Sequence, residues 1–223
     1  MTSPTRSPAT ATQRPAAVAR KKRNLDSWLK PGVLLGSLVP LAALLVRALR
    51  GTLGANPIAE VLNQFGLLAL IFLVASLAPT ALKLIVDLKW PLRIRRMLGL
   101  LAFFYASLHL LTYALLDRAG QLATLLEDLG KRPFITVGFL AWLMLAPLAV
   151  TSTNGMVKRL GFARWKLLHR LSYVAAGFGI VHFLWRVKKD ASEPITYGLI
   201  LAVLLGVRAL AWHNERQRAR YSG

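Results

Sequence analysis

Cysteine is absent from the 223 residues, and that gap removes several chemistries at once. Disulfides, cysteine-ligated iron–sulfur clusters, thiol catalysis and covalent cofactor attachment through a CxxCH pair are all excluded. Redox work, if the chain does any, must rest on a non-covalent cofactor. Acidic residues are scarce: Asp and Glu number 9 against 29 Lys and Arg, a net charge of +20. There is no Gly-rich turn following a strand to mark a nucleotide site, and no convincing repeat between the two halves of the kind many transporters carry. A signal peptide is not expected either, because the first apolar run starts late and no small-residue cleavage site follows it.

What is present in excess is hydrocarbon. Apolar side chains make up 55% of the chain and its mean hydropathy is +0.48, too apolar for an ordinary soluble domain of this size. A helix needs ~20 apolar residues to cross a bilayer. Six stretches qualify, at about 32–49, 65–86, 97–116, 134–151, 168–186 and 196–212. Pro40, Pro79 and Pro147 fall inside them, which membrane helices tolerate better than soluble ones do. The expected fold is all-α: an integral membrane six-helix bundle over 32–213, a tail over 1–31 that is basic and disordered through residue 24, and a short C-terminal tail over 214–223.

The basic excess could suggest nucleic acid, but its distribution follows the membrane instead. With the N-terminus inside, 21 of the 29 Lys and Arg collect on the cytoplasmic side, in the tail (Arg20-Lys21-Lys22-Arg23 among them), two loops and the C-terminal end. The other side holds eight, offset by six of the 9 acids. That asymmetry places both termini in the cytoplasm. Trp28, Trp90, Trp165 and Trp212 fall at the inner interface and Trp185 at the outer one, as an aromatic belt requires. No base-stacking or groove-reading element accompanies the charge, so nucleic acid is not an expected partner.

Against this apolar background three histidines stand out. His109 lies in LAFFYASLHLLTY; His169 and His182 share LHRLSYVAAGFGIVHFLW. Ionisable side chains at membrane depth are costly and mark functional sites, and imidazole is a standard axial ligand of heme iron. Counted from the same membrane face, His109 lies ~18 Å along its helix and His182 ~21 Å along its own, the matched depth that one heme between two helices needs. His169 lies ~20 Å below His182, turned from it by roughly 140° on an ideal helix. Arg95 is fourteen residues before His109 and on nearly the same face, so the lower level offers a histidine facing an arginine. Arg95 and Arg96 suit a propionate or serve as ordinary positive-inside residues. Tyr105 and Tyr113 flank His109 at i−4 and i+4, placed for a porphyrin edge or for helix packing. Trp165 and Lys166 suit interface anchoring; Lys131 and Arg132 suit contact with a partner or with headgroups. His213, beside Asn214 and Glu215, is expected to be solvated.

RRMLGLLAFFYASLHLLTY (95–113), KRPFITVG (131–138) and RLGFARWKLLHRLSYVAAGFGIVHFLWRVK (159–188), with fainter echoes in GANPIAEVLNQFGLLAL (54–70) and SLAPT (76–80), resemble the MsrQ (formerly YedZ) family. Its members are heme-binding inner-membrane subunits of bacterial periplasmic methionine sulfoxide reductase systems, within the ferric-reductase-like transmembrane superfamily. The resemblance covers about 50 to 200 and leaves the N-terminal tail outside.

The resemblance implies one or two b-type hemes, with the family's three histidines falling on His109, His169 and His182. It further implies electron passage to a periplasmic molybdopterin methionine sulfoxide reductase that repairs oxidised envelope proteins. The implied donors are a cytosolic NAD(P)H flavin reductase or the quinone pool, and FMN is an implied second cofactor. Lacking the soluble flavin domain of full ferric reductases, the chain is expected to take electrons from a partner and to carry no methionine sulfoxide site of its own. Two alternatives remain: a stand-alone ferric or quinone-linked reductase of the same superfamily, and a non-redox transporter whose histidines relay protons.

Overall fold

A computed structural model describes residues 25–221; the basic tail over 1–24 lies outside the described residues. Six helices are long and apolar enough to cross a membrane, and the described residues form no strand. The first is α1 (Leu25–Leu49), which takes in seven residues that composition assigned to the tail. The second, α2 (Pro57–Val86), starts where Asn56 Oδ1 accepts from the Ala59 N–H at 3.1 Å and stops at Asp87, whose φ of 49° is left-handed. A side-chain N-cap followed by proline is a regular helix start, because the proline lacks an N–H that would go unpaired there.

The third span is α3 (Arg95–Leu111), which continues as a π-helical turn over Thr112–Asp117. An amphipathic helix, α4 (Leu122–Lys131), leads into the fourth span, α5 (Pro133–Val150). Two short helices, α6 (Asn154–Leu160) and α7 (Phe162–Leu168), precede α8 (Leu171–Arg186). The last, α9 (Ser192–Tyr221), continues past the expected end at 212, because Glu, Gln and Arg after His213 are good helix formers. By connectivity α4 lies at one end of the bundle, with the α1–α2 and α8–α9 turns. The α6–α7 segment and the C-terminal end of α9 lie at the other.

The fifth span is where expectation and structure part. His169 caps the C-terminus of α7, and α8 begins only at Leu171. The ~140° separation of His169 and His182 assumed one unbroken helix, so it does not apply.

α2 is the centre of the bundle, packed against α3, α8 and α9, while α5 packs on α8. The main core joins Leu70, Leu73, Val74 and Leu77 of α2 to Ala102, Leu145, Leu148, Ala175, Ala176, Ile180 and Leu201. Ala102, Ala175 and Ala176 are fully buried; small residues at such contacts let membrane helices approach closely. Arg208 on α9 sits among apolar neighbours, where it donates from Nη2 to the Leu77 carbonyl at 2.6 Å and from Nη1 to the Tyr173 hydroxyl. It therefore pins α9 to α2 and α8.

Candidate functional site

Two helices far apart in sequence, α3 and α8, bring His109 and His182 together edge to face. Their ring centroids are 6.0 Å apart and the ring planes stand at 86°. Each ring is fixed by its other nitrogen: His109 Nδ1 donates to the Leu62 carbonyl at 2.8 Å, and His182 Nδ1 to the Phe134 carbonyl at 2.7 Å. A carbonyl can only accept, so Nδ1 carries the proton and Nε2 keeps its lone pair. This is how metal-binding histidines are ordinarily held.

Backbone without side chains makes room for both rings. A Cβ on Gly66 would stand 3.0 Å from His109 Nδ1, and one on Gly138 would stand 2.6 Å from His182 Nδ1. Both glycines lie in stretches that carried the family resemblance. Their partners are more than forty residues away in sequence, so no local pattern exposes their role.

The imidazole pair opens onto a cavity of about 800 Å³, lined by apolar side chains such as Leu70, Phe139, Trp142 and Phe183. That lies within the range of ordinary cofactor sites. With both Nδ1 atoms committed to backbone carbonyls, the two Nε2 atoms are the ones left to hold a metal ion. Among the described residues no group of three or more His, Asp or Glu is placed to hold a metal ion. Two imidazoles opening onto an apolar cavity of this size are a donor set that fits heme.

Charged groups gather at the α4 end of this cavity. Asp128 of α4 is buried; it accepts from the Tyr113 hydroxyl and pairs with Arg118 Nε at 2.7 Å and Arg132 Nε at 2.9 Å. The Tyr113 hydroxyl foremost, then the two guanidiniums, hold its carboxyl below the usual carboxylate range against the opposing effect of burial. Leu125 and Leu129 of the same helix line the cavity, so α4 closes that end.

The remaining sequence candidates separate clearly. Tyr113 lines the cavity, but Tyr105 does not. Its ring stacks on Phe72 at 5.5 Å and its hydroxyl donates to the Ser37 carbonyl, so it is fully buried between α1, α2 and α3. Helix packing takes up Tyr105, not the imidazole cavity. His169, Arg95 and Arg96 meet at a second cavity of about 210 Å³ near the α6–α7 end. His169 stacks on Trp165 at 3.9 Å, donates from Nδ1 to the Trp165 carbonyl at 3.0 Å, and has a buried Nε2 with no partner. Arg95 donates to Thr80 Oγ1 at 3.3 Å and Arg96 to Asn154 Oδ1 at 2.7 Å. Trp165 is thus a partner of His169 and not only an interface anchor. His213 is exposed, 3.3 Å from Gln217. Leu73 and Leu145 line both cavities and form the wall between them.

Fold and site together define a membrane helix bundle with a pair of facing imidazoles in its interior. Residues 62–180 match the family of the ferric reductase like transmembrane component. Relatives named protein-methionine-sulfoxide reductase heme-binding subunit MsrQ match most of the chain. That of Deinococcus radiodurans is 52% identical over 80% of this chain and 88% of its own. That of Rhodospirillum rubrum is 48% identical over 89% and 95%, and that of Herminiimonas arsenicoxydans 46% over 87% and 91%. The chain belongs to the MsrQ family of ferric-reductase-like transmembrane proteins.

Proposed function

We propose that this chain is the heme-binding, electron-transferring membrane subunit of a methionine sulfoxide reductase system. The observation that carries the proposal is the His109–His182 pair, 6.0 Å apart with each Nδ1 committed to a backbone carbonyl. The names of the relatives supply the system.

In this mechanism the chain's residues bind, orient and insulate. His109 and His182 would hold the heme iron through Nε2, and the Leu62 and Phe134 carbonyls, by engaging each Nδ1, leave those lone pairs free for it. The apolar walls and α4 keep water from the site. Heme, when bound, supplies one-electron exchange at its iron. His169, Arg95 and Arg96 would hold a second redox centre, either another heme or FMN, at the smaller cavity, whose volume of about 210 Å³ is below the usual cofactor range and would have to widen.

The charge asymmetry supports a bacterial inner-membrane orientation with both termini and the α6–α7 end in the cytoplasm and α4 facing the periplasm. Electrons then enter from a cytosolic NAD(P)H flavin reductase or the quinone pool. They leave near α4 to a periplasmic molybdopterin enzyme, which reduces methionine sulfoxide in damaged envelope proteins.

The test is spectral. Purified protein is expected to show a reduced b-type spectrum after dithionite. His109→Ala and His182→Ala are each expected to abolish the His–His signal, and His169→Ala to spare it. A colourless yet helical preparation from heme-sufficient cells overturns the proposal. Re-oxidation that responds to ferric iron or quinone, but not to methionine sulfoxide with the partner enzyme, favours a stand-alone reductase.

A further inference from the structure

The cavity between His109 and His182 is apolar along its walls and charged at one rim. The charged side chains lining it are Asp117, Arg118, Arg132, Arg186 and Glu193. Two of these arginines already have carboxylates. Arg118 Nε lies 2.7 Å from Asp128 and 3.5 Å from Asp117, and Arg132 Nε lies 2.9 Å from Asp128.

Arg186 is different. It closes α8 one turn beyond His182, half-buried at the same cavity. Its guanidinium donates to the Asn63 side-chain carbonyl and lies 5.9 Å from the Phe183 ring centre. Among the described residues no carboxylate stands within ion-pair distance of it. A partly desolvated cation without an anion is costly, and a guanidinium fork matches a carboxylate bidentately. The site thus joins an apolar slot to a cation at its α4 end that no carboxylate within ion-pair distance offsets, although Glu193 lines the same rim. The occupant that complements it has a flat apolar body and an acidic edge.

We infer that Arg186 binds a carboxylate of the cavity's occupant, which under the function proposed above is a heme propionate. The inference rests on that function and goes further in fixing an orientation: the acidic edge faces the α4 end. It also assigns Arg186 an electrostatic role. A positive charge near the iron favours the reduced state, because reduction removes one unit of positive charge there. Arg186 therefore holds the midpoint potential up.

The experiment uses the full chain in detergent with heme bound, and compares wild type, Arg186→Gln and Arg186→Lys. Heme loss is followed by transfer to a scavenging apo-globin, and the midpoint by a mediated dithionite titration. Arg186→Gln is expected to release heme about tenfold faster and to have a lower midpoint. Arg186→Lys is expected to recover the midpoint but only part of the retention, since an ammonium lacks the fork. Reconstitution with the dimethyl ester of heme, which has no free propionate, is expected to erase the difference in retention between wild type and Arg186→Gln.

Wild-type retention and midpoint in Arg186→Gln overturn the inference, as does a lysine variant no better than glutamine. A retention difference that persists on the ester overturns the carboxylate contact and leaves Arg186 as a helix tie to Asn63. Wild-type protein that binds no heme at all defeats the proposed function, and the inference with it.

Discussion

Gly138 on α5 faces His182 on α8 so closely that a Cβ would stand 2.6 Å from the ring's Nδ1. The N–H on that nitrogen is the one that donates to the Phe134 carbonyl. The methyl group that alanine adds would therefore push the ring off the hydrogen bond that orients it. Gly138→Ala is expected to lose most of the His–His heme signal while the protein stays helical. Gly66→Ala, whose Cβ would meet His109 at 3.0 Å, should lose less. Gly177→Ala, with nothing within 4 Å, is the silent comparison. Heme-to-protein ratios of the three purified variants check the order.

Asp128 gives a pH prediction. Its carboxyl titrates below the usual range in the folded chain, so the folded state binds its proton less readily than the unfolded one. Stability from this group is complete above the unfolded value of about 3.9 and is lost as pH falls through the lower folded value. The α4 cap should thus stay closed from neutral pH down to about pH 4 and loosen only in stronger acid. Asp128→Asn should weaken the cap even at pH 7, by about 1–3 kcal/mol, because it breaks charge-assisted contacts to Arg118 and Arg132. Hydrogen exchange across Leu122–Lys131 as a function of pH measures both effects.

Tyr105→Phe separates helix packing from a cofactor contact. It removes the hydroxyl that donates to Ser37 and leaves the ring on Phe72 in place. The expected cost is about 1 kcal/mol of stability, with an unchanged heme absorbance and midpoint. A shifted spectrum would return Tyr105 to the cofactor's surroundings.

Docking at the α6–α7 end should depend on charge. Lys158, Arg159, Arg164 and Lys166 are exposed there, and an acidic flavin donor would be steered toward them. Heme reduction by a cytosolic flavin reductase is expected to slow as ionic strength rises, and neutralising these four should flatten that dependence. Stopped-flow traces at several salt concentrations decide it. Indifference to both would favour a membrane quinol donor.

The bundle was legible in the sequence because hydrocarbon thickness imposes its own length on every span. Helix ends were less so. The start of α1 at Leu25 and the extension of α9 to Tyr221 depend on local helix propensity outside the apolar run. His109 and His182 were visible as costly groups at matched depth, and counting rise per residue was enough to bring them level. The shape of their seat was not visible. Gly66, Gly138 and the two carbonyls that lock the rings come from α2 and from the start of α5, and only packing brings them there. Tyr105 was ambiguous for a similar reason: spacing from His109 sets its side of α3, but the Ser37 carbonyl on α1 decides what it touches. The break at His169 escaped because no proline or glycine marks it in KLLHRLSYV.

The leucine wall made by Leu73 and Leu145 has an electrical consequence. These two hydrocarbon side chains provide no hydroxyl, carboxylate or amide for a proton to hop along. An electron crossing from the smaller cavity to the larger one would leave its compensating proton behind. The membrane voltage then acts on the bare charge, at about 2.3 kcal/mol per 100 mV for a full crossing. Under the proposed orientation the electron moves outward, against no opposing field, since the cell interior is negative. Respiratory polarisation of the membrane would thus help drive reducing equivalents toward the periplasm, and a depolarised cell would deliver them more slowly.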